Sequence, residues 1–152
     1  MIIVTGAAGF IGSCVTARLN QEGFQDLILV DDFSRPDKFA NYEGKQFSRQ
    51  VDRNAFFDWI IDKEHLVQFV IHLGARTDTT EQNVAVFDRL NLHFSQQIWN
   101  VCTTHQIPLI YASSAATYGG GELGFDDNHE VITDLIPLNP YGKSKNDFDV
   151  WA

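Results

Sequence analysis

The chain has 152 residues, of which 44% are hydrophobic and 20% are charged, and its 11 basic and 20 acidic residues give a net charge of −9. This composition excludes a disordered or collagen-like chain, and no apolar run approaches the roughly 20 residues of a membrane span. The length predicts one domain, and the acidic balance argues against nucleic-acid or membrane partners, which need basic surfaces on the protein.

Strand and helix patterns alternate along the chain. The predicted strands are 2–4, 27–30, a weak one near 46–51, 69–71 and 109–111. The predicted helices are about 10–22, 53–61 and 81–105. Uniformly apolar strands separated by amphipathic helices are typical of a parallel sheet covered on both faces. The predicted fold class is therefore α/β, a doubly wound parallel sheet or Rossmann fold.

Three glycines follow the first strand. Gly6 permits a tight turn, and Gly9 removes a side chain where backbone would approach a pyrophosphate. Gly12 lets the helix pack closely on the sheet, while the N–H groups at the helix N-terminus would face the phosphates. The spacing is one residue wider than the common Gly-x-Gly-x-x-Gly form. A purely structural turn is the alternative, but the position after the first strand favours cofactor binding.

Two acidic residues end the second strand. Asp31 stands where a carboxylate can accept hydrogen bonds from an adenosine ribose, whereas Asp32 suits a solvent-facing role equally well. An acid here favours NAD because it repels a 2′-phosphate, yet Arg35 and Lys38 follow closely and could neutralise that phosphate. The residues alone leave NAD and NADP both open.

A Tyr-x-x-x-Lys sequence lies near the end of the chain. Asn139 and Pro140 suit the N-cap and first turn of a helix, which places Tyr141 and Lys145 on one face. A free tyrosine has a pKa of about 10, and a neighbouring lysine cation would lower the pKa of Tyr141 toward that of a general base. Ser114, after the strand at 109–111, could hold the substrate hydroxyl. The alternative is a surface tyrosine beside a solvated lysine.

Four segments occur in the order of a known family. They are residues 5–12, 73–75, 111–119 and 139–145. Together they resemble the extended short-chain dehydrogenase/reductase family of NAD(P)-dependent nucleotide-sugar epimerases and dehydratases, over nearly the whole chain. Within that family, residues 1–5, 79–81 and 113–119 are most similar to the ADP-glycero-manno-heptose 6-epimerases. The resemblance implies transient oxidation at C6 of the heptose and re-reduction on its other face, in the supply of heptose for lipopolysaccharide core.

The resemblance also implies roles for individual residues. Ser114 would hydrogen-bond the reacting hydroxyl, Tyr141 would be the catalytic base, and Lys145 would be its partner and bind the ribose. The residues with implied cofactor contacts are Gly6, Gly9, Phe10, Ile11, Gly12, Asp31, Asp32, Lys38, Arg53, Leu73, Gly74, Ala75, Arg76, Thr77, Asn91 and Lys145. The heptose subfamily is associated with NADP, which favours NADP over NAD, and no metal site is expected.

Asn91 lies within an apolar stripe of the longest predicted helix. The stripe consists of Val84, Phe87, Asn91, Phe94, Ile98 and Val101. A buried asparagine must be hydrogen-bonded, so the alternative is a satisfied core amide. Family members use an asparagine here to position the catalytic lysine and the cofactor, and this role is the one we expect.

The resemblance implies a longer parent protein. Family members carry a C-terminal lobe that supplies most sugar contacts and, in heptose epimerases, a second catalytic base, a lysine. Residues 1–152 are therefore expected to be a truncated NAD(P)-binding domain that is inactive alone, within a parent enzyme that self-associates. The alternatives are another nucleotide-sugar 4-epimerase, dehydratase or reductase, or a non-catalytic dinucleotide-binding module. Ala115 and Ala116 weigh against a dehydratase, which usually has acidic residues there.

Two further observations predict the compartment. Met1 leads directly into an apolar segment, without the basic region and longer apolar stretch of a signal peptide. Cys14 and Cys102 are far apart and lack metal-ligand spacing, so free thiols in a reducing cytoplasm are expected rather than a disulfide.

Overall fold

The computed structural model describes residues 1–152, with five strands and six α-helices. The strands are β1 (Ile2–Thr5), β2 (Leu27–Asp31), β3 (Arg49–Asp52), β4 (Phe69–His72) and β5 (Leu109–Tyr111). The α-helices are α1 (Phe10–Gln21), α2 (Phe39–Tyr42), α3 (Phe56–Ile60), α4 (Val84–Phe87), α5 (Phe94–Thr104) and α6 (Pro140–Trp151). A π-helical turn, Asp88–His93, joins α4 to α5. No helix combines the length and the apolar character that crossing a membrane requires.

All five strands belong to one parallel sheet in the order β3-β2-β1-β4-β5. The chain begins in the middle of the sheet, builds outward through β2 and β3, and then crosses to β4 on the other side of β1. The strand order therefore reverses between β1 and β4, and ligands of open α/β sheets bind outside the carboxyl ends of strands at such a point. The predicted Rossmann-like fold class is confirmed.

The chain divides into two compact units. The first contains residues 1–74 and 99–111, and therefore the whole sheet with α1, α2 and α3. The second contains residues 75–98 and 112–152, and therefore α4, the π-helical turn and α6. That residues 1–152 act as one dinucleotide-binding domain stays a prediction.

The core of the first unit lies around β1 and β2. Every residue of β2 is buried, as expected for a strand that is covered on both faces. Side chains of β1, the following turn, β2 and α2 form one apolar cluster, whose buried members are Val4, Ala7, Ala8, Leu27, Leu29 and Tyr42. The turn between β1 and α1 is thus fixed by the core beneath it.

Two helix predictions need correction. The helix expected at 53–61 is shorter, Phe56–Ile60, because the Asp52 carboxylate accepts a hydrogen bond from the Asn54 N–H and holds the preceding residues in a turn. The segment Pro36–Lys38 and the adjoining α2 were not expected, since so short a stretch shows no period.

The buried stripe of the long helical segment is also shifted from the prediction. Val84 is 52% exposed, and Ser95 and Cys102 are buried in place of the expected Phe94 and Val101. Beyond Asn91 the buried positions are Ser95, Ile98 and Cys102, which keep the three- and four-residue spacing of a helix face. Phe87, Asn91 and Ile98 are buried as predicted.

Candidate functional site

The turn between β1 and α1 requires glycine at two positions. Gly6 has φ +67°, and a Cβ there would lie 2.8 Å from backbone atoms of the segment that follows β4. A Cβ on Gly12 would lie 2.1 Å from the carbonyl oxygen of Gly6. At Gly9 a Cβ would meet only that same carbonyl oxygen, at 3.2 Å. Gly6 and Gly12 therefore hold the turn against β4 and α1, whereas Gly9 leaves bare backbone at the start of the helix.

The N-terminus of α1 is open to a ligand. Gly9 is the N-cap and supplies no side-chain cap, so the first N–H groups of this twelve-residue helix have no partner within it. Phe10 and Ile11 are 81% and 62% exposed. Free N–H groups and the positive end of the helix dipole together suit an anion such as a pyrophosphate.

The different roles of Gly9 and Gly12 can be tested by mutation. We expect Gly12→Ala to destabilise the protein by about 1–3 kcal/mol, because its Cβ overlaps the Gly6 carbonyl and α1 must move. Gly9→Ala is the matched control and should cost less than about 1 kcal/mol, since the carbonyl needs to give by only a few tenths of an ångström. Urea unfolding measures both, and equal losses would contradict the packing role of Gly12.

Asp31 fastens the glycine turn to the second strand. Its Oδ2 accepts a hydrogen bond of 2.9 Å from the Ala8 N–H, and its Oδ1 accepts one of 2.7 Å from the Lys38 ammonium. The side chain is only 6% exposed. Each carboxylate oxygen has two acceptor positions, so Oδ2 keeps one for a ribose hydroxyl. Asp31 is thus an anchor of the turn, and its predicted cofactor contact stays a prediction.

Asp32 is more open and is paired with Arg53. Its Oδ1 accepts hydrogen bonds from the Ser34 hydroxyl and N–H, and chiefly the first of these lowers the pKa of the carboxyl group. Its Oδ2 lies 3.2 Å from an Arg53 guanidinium nitrogen. The Nε of Arg53 is buried without a hydrogen-bond partner. This guanidinium therefore retains a donor for a further anionic group.

The carboxyl ends of β1 and β4 are joined by polar contacts. Thr5 accepts a hydrogen bond of 3.0 Å from the Gly74 N–H at its hydroxyl and one of 3.2 Å from the Leu73 N–H at its carbonyl. Its hydroxyl also lies 2.6 Å from Nδ1 of His72, which is buried. The backbone of Leu73 and Gly74 is thereby held beside the glycine turn within the first unit.

In the second unit, Asn91 joins the segment after β4 to α6. Its Oδ1 accepts a hydrogen bond of 2.7 Å from the Arg76 N–H, and its Nδ2 donates to the Arg76 carbonyl at 3.0 Å and to the Ser144 hydroxyl at 2.9 Å. The side chain is 1% exposed and sits in the π-helical turn. Asn91 thus fixes the backbone between Ala75 and Thr77 and, through Ser144, the first turns of α6.

The start of α6 is defined by its cap and by a close approach. Asn139 accepts a hydrogen bond of 2.8 Å from the Gly142 N–H, and Pro140 occupies the first helical position, as predicted. A Cβ on Gly142 would lie 2.6 Å from the carbonyl oxygen of Ala116. Glycine at this position therefore lets the helix that carries Tyr141 pack directly on the turn that follows Ser114.

Ser114 and Tyr141 both have hydroxyls available for a ligand. Ser114 caps the turn Ala115–Tyr118 by accepting a hydrogen bond of 3.2 Å from the Ala116 N–H, which leaves its own O–H free to donate. The Tyr141 ring packs on Phe87 with centroids 6.4 Å apart. No residue of the chain hydrogen-bonds the Tyr141 hydroxyl.

Lys145 lies one helical turn beyond Tyr141, on the same side of α6. Its side chain is 4% exposed, and no residue of the chain forms a hydrogen bond or ion pair with its ammonium group. Burial lowers the pKa of Lys145, and the charge of Asp149 opposes that effect. An unpaired buried ammonium is costly to a fold, so this lysine is suited to contact a ligand.

Each of the two units carries residues that suit a part of a dinucleotide. In the first unit, the glycine turn and the N-terminus of α1 offer N–H groups to a pyrophosphate, and the carboxylates of Asp31 and Asp32 stand at the end of β2. In the second unit, Lys145 offers a buried ammonium group and Tyr141 a free hydroxyl. Each unit thus brings together the predicted residues that belong to it.

Several contributors were not found from the sequence. Gly142 and Ser144 were not expected to have a role, although a glycine in the first turn of a helix is itself a signal of close packing. Ser113 and Asp149 also escaped notice, and their hydrogen bond joins residues that are 36 apart in sequence. No local pattern reveals such a contact.

Comparison with known proteins gives a consistent picture. The chain matches the NAD dependent epimerase/dehydratase family over residues 2–152. It is 42% identical over 156 residues to the ADP-L-glycero-D-manno-heptose-6-epimerase of Fusobacterium nucleatum, covering all of this chain and 47% of that protein. It is 41% identical over 154 residues to the enzyme of the same name from Nitratidesulfovibrio vulgaris, covering all of this chain and 48% of that protein.

Solved structures show the same fold. The ADP-L-glycero-D-manno-heptose-6-epimerase of Helicobacter pylori superposes with a TM-score of 0.79 at 28% identity, covering 99% of this chain and 49% of that one. UDP-glucuronic acid 4-epimerase from Bacillus cereus in complex with NAD gives a TM-score of 0.73 at 25% identity, covering 98% of this chain and 50% of that one. The chain spans about half the length of the relatives that it matches.

Proposed function

The chain belongs to the NAD dependent epimerase/dehydratase family, and from this premise we propose that its full-length protein inverts C6 of ADP-glycero-manno-heptose. Lys145 is the observation that carries the catalytic part of the proposal, because its ammonium is buried and unpaired one turn from the free hydroxyl of Tyr141. The 41–42% identity to ADP-heptose 6-epimerases supports the choice of sugar.

The proposed chemistry assigns one task to each side chain. A bound nicotinamide would supply the reversible removal of hydride from C6. Tyr141 removes the proton of the sugar hydroxyl, and Ser114 donates a hydrogen bond to that oxygen. Lys145 binds the nicotinamide ribose and stabilises the phenolate of Tyr141 by its positive charge. The epimerisation requires no net oxidation, because the same hydride returns to the opposite face.

The decisive experiment offers ADP-glycero-manno-heptose to the full-length protein and separates the two C6 epimers. Conversion to an equilibrium mixture, without added oxidant, is the expected result. UDP-glucose and UDP-glucuronic acid are the control substrates, and turnover of either in place of the heptose would assign a 4-epimerase. Cofactor binding without turnover of any sugar would assign a non-catalytic dinucleotide-binding module. Residues 1–152 alone are expected to bind the cofactor without turnover.

The cofactor is a nicotinamide dinucleotide, as in the family, and we propose that it is NADP. Lys38 and Arg53 support this choice, since both cations stand by the carboxylates at the end of β2 and the Nε of Arg53 lacks a partner. The argument against it is that Asp31 and Asp32 already neutralise these two cations. The proposal therefore requires that the guanidinium of Arg53 contributes a further hydrogen bond to a 2′-phosphate.

Mutation of Arg53 tests the cofactor. We expect Arg53→Gln to weaken NADPH binding by about tenfold or more and to leave NADH binding nearly unchanged, because it removes a charged donor and leaves Asp32 to repel the phosphate. Arg49→Gln is the control, because Arg49 is an exposed arginine at the start of β3, the strand that Arg53 follows. Fluorescence titration measures both affinities. A parent protein that binds NADH more tightly than NADPH would overturn the NADP proposal.

Two further properties of the full-length protein remain proposals. We propose a cytoplasmic location, supported by two cysteines that are both free, Cys14 exposed and Cys102 buried. Burial raises the pKa of the Cys102 thiol to about 11, so this thiol is unreactive near neutrality. We also propose a homo-oligomer, by analogy with the family, which sedimentation of the full-length protein would test.

A further inference from the structure

Asp149 lies one helical turn beyond Lys145 and is held by a serine outside the predicted catalytic set. One carboxylate oxygen, Oδ2, accepts a hydrogen bond from the Ser113 hydroxyl. The other, Oδ1, is buried and has no hydrogen-bond partner. A buried carboxylate oxygen without a donor is costly unless a positive charge stands nearby.

Lys145 is a cation on the same helix. Positions 145 and 149 are four apart in α6 and therefore lie on one side of the helix. The Lys145 side chain is 4% exposed and its ammonium group has no hydrogen bond or ion pair, while the buried Oδ1 of Asp149 has no hydrogen-bond donor. Asp147 and Lys143, which pair at 2.6 Å, lie on a different side of α6 from Lys145 and Asp149.

From this geometry we propose that Asp149, anchored by Ser113, is a positioning residue that keeps Lys145 charged for its work on the cofactor ribose and on Tyr141. This inference rests on the proposed function. It adds to the catalytic pair Tyr141 and Lys145 a carboxylate that acts on the charge of Lys145. Asp149 touches neither the sugar nor the cofactor in this scheme, and it acts only through the lysine.

The electrostatics of the second unit agree with this assignment. Burial lowers the pKa of Lys145, and the opposing effect that raises this pKa comes from Asp149. The π-helical turn, which packs on α6, carries Asp88, Arg89 and His93, and the turn after Ser114 carries Tyr118. None of these groups is among the causes of the Lys145 shift.

The consequence concerns the pH range in which the lysine works. If the Asp149 charge is removed, burial alone acts on Lys145, and its pKa falls further below the ordinary 10.5. Lys145 then loses its proton at a lower pH, and with it the cation that binds the ribose and stabilises the Tyr141 phenolate. As the pH is raised, cofactor affinity and turnover should therefore both decline at a lower pH than in the protein that retains the Asp149 charge.

The test compares variants of the full-length protein between neutral pH and pH 10.5, the ordinary value for lysine. NADPH affinity is measured by fluorescence and kcat/KM with the sugar nucleotide. For Asp149→Asn we expect the alkaline limb of both profiles to move down by about 0.5–1 pH unit. Asp149→Glu should restore the limb, and Ser113→Ala should move it in the same direction by a smaller amount.

Asp147→Asn is the matched control, since it removes a carboxylate from the same helix on its other side, and its alkaline limb should not move. An Asp149→Asn profile that coincides with the Asp147→Asn profile would overturn the inference, even if the variant unfolds at a lower temperature. Ser113→Ala keeps the test decisive if Asp149→Asn does not fold, because an unmoved limb in that variant also overturns the inference. A parent protein that binds NADPH but does not epimerise the heptose contradicts the proposed function alone, and the affinity profile still tests Asp149.

Discussion

Replacing Tyr141 by phenylalanine in the full-length protein is expected to lower kcat for the epimerisation by roughly 10²–10⁴-fold. The substitution removes one hydroxyl, the group to which proton transfer is assigned, and keeps the ring. The contact of that ring with Phe87, at a centroid distance of 6.4 Å, is retained. NADPH affinity, which depends on Lys145 and on the first unit, should change by less than about twofold. Rate and affinity are measured on the same preparation.

Tyr118→Phe is the matched control for this prediction. Tyr118 belongs to the same unit, and its hydroxyl donates a hydrogen bond to the Asp127 carboxylate. That hydrogen bond and the nearby charge raise the pKa of Tyr118, which is the opposite of what a general base requires. We expect kcat of Tyr118→Phe to stay within about threefold of the value for the unsubstituted full-length protein. Equal losses in both variants, or unchanged activity in Tyr141→Phe, would contradict the assignment of the base.

The fold could be predicted because four of its five strands, β1, β2, β4 and β5, are built on continuous apolar runs, whereas β3 is mostly polar and was predicted only as a weak strand. The run Leu27–Asp31 is buried at every position, so its composition alone reports a strand covered on both faces. The glycine turn and the Tyr-x-x-x-Lys helix were predictable for a related reason, since the backbone requires glycine at Gly6 and Gly12 and the helix repeat brings Tyr141 and Lys145 together. These features are local, and local features are visible in a sequence.

What could not be predicted depends on contacts between distant segments. The π-helical turn that contains Asn91 was not predicted, and the hydrogen bonds of Asn91 to Arg76 and Ser144 are not local. Gly142 looks like an unfavourable helix residue until the Ala116 carbonyl is seen to occupy the space of its Cβ. In both cases tertiary packing overrides what the segment would prefer alone.

Asp31 shows a further limit of prediction from the sequence. An acidic residue with a role at this position was predicted, but its structural contacts were not. The sequence predicts an acid that receives ribose hydroxyls, and the structure gives the same carboxylate two structural tasks, holding the Ala8 N–H and neutralising Lys38. Charge counting along the chain therefore cannot decide between NAD and NADP. Because Asp32 pairs with Arg53, mutation of Arg53 is the test that distinguishes NADP from NAD.

Replacing Lys145 by methionine should lower activity and cofactor affinity while it raises the stability of the fold. Loss of the ammonium is expected to lower kcat by roughly 10²–10⁴-fold and to weaken NADPH binding by about tenfold. The protein should become more stable, because methionine fills similar space and the burial that lowers the pKa of Lys145 outweighs the opposing attraction of Asp149. Each kcal/mol gained in this way raises Tm by about 2–4 °C in a domain of 150–250 residues. Lys143→Met, which breaks an exposed pair with Asp147, is the control and should change little in either measurement.

The pH dependence of this stability gain has a definite sign. Burial lowers the pKa of Lys145 below its ordinary 10.5, so between the folded-state value and 10.5 the unfolded chain binds the proton more tightly than the folded chain. The cost to the fold is therefore complete below the folded-state pKa and is relieved as the pH rises toward 10.5. Calorimetry of Lys145→Met against the parent should show the largest gain at neutral pH and a vanishing gain toward pH 10.5, with no such trend for Lys143→Met. A Lys145→Met protein that is less stable than the parent at neutral pH would mean that the fold needs this lysine, and the case for a charge retained for catalysis would fail.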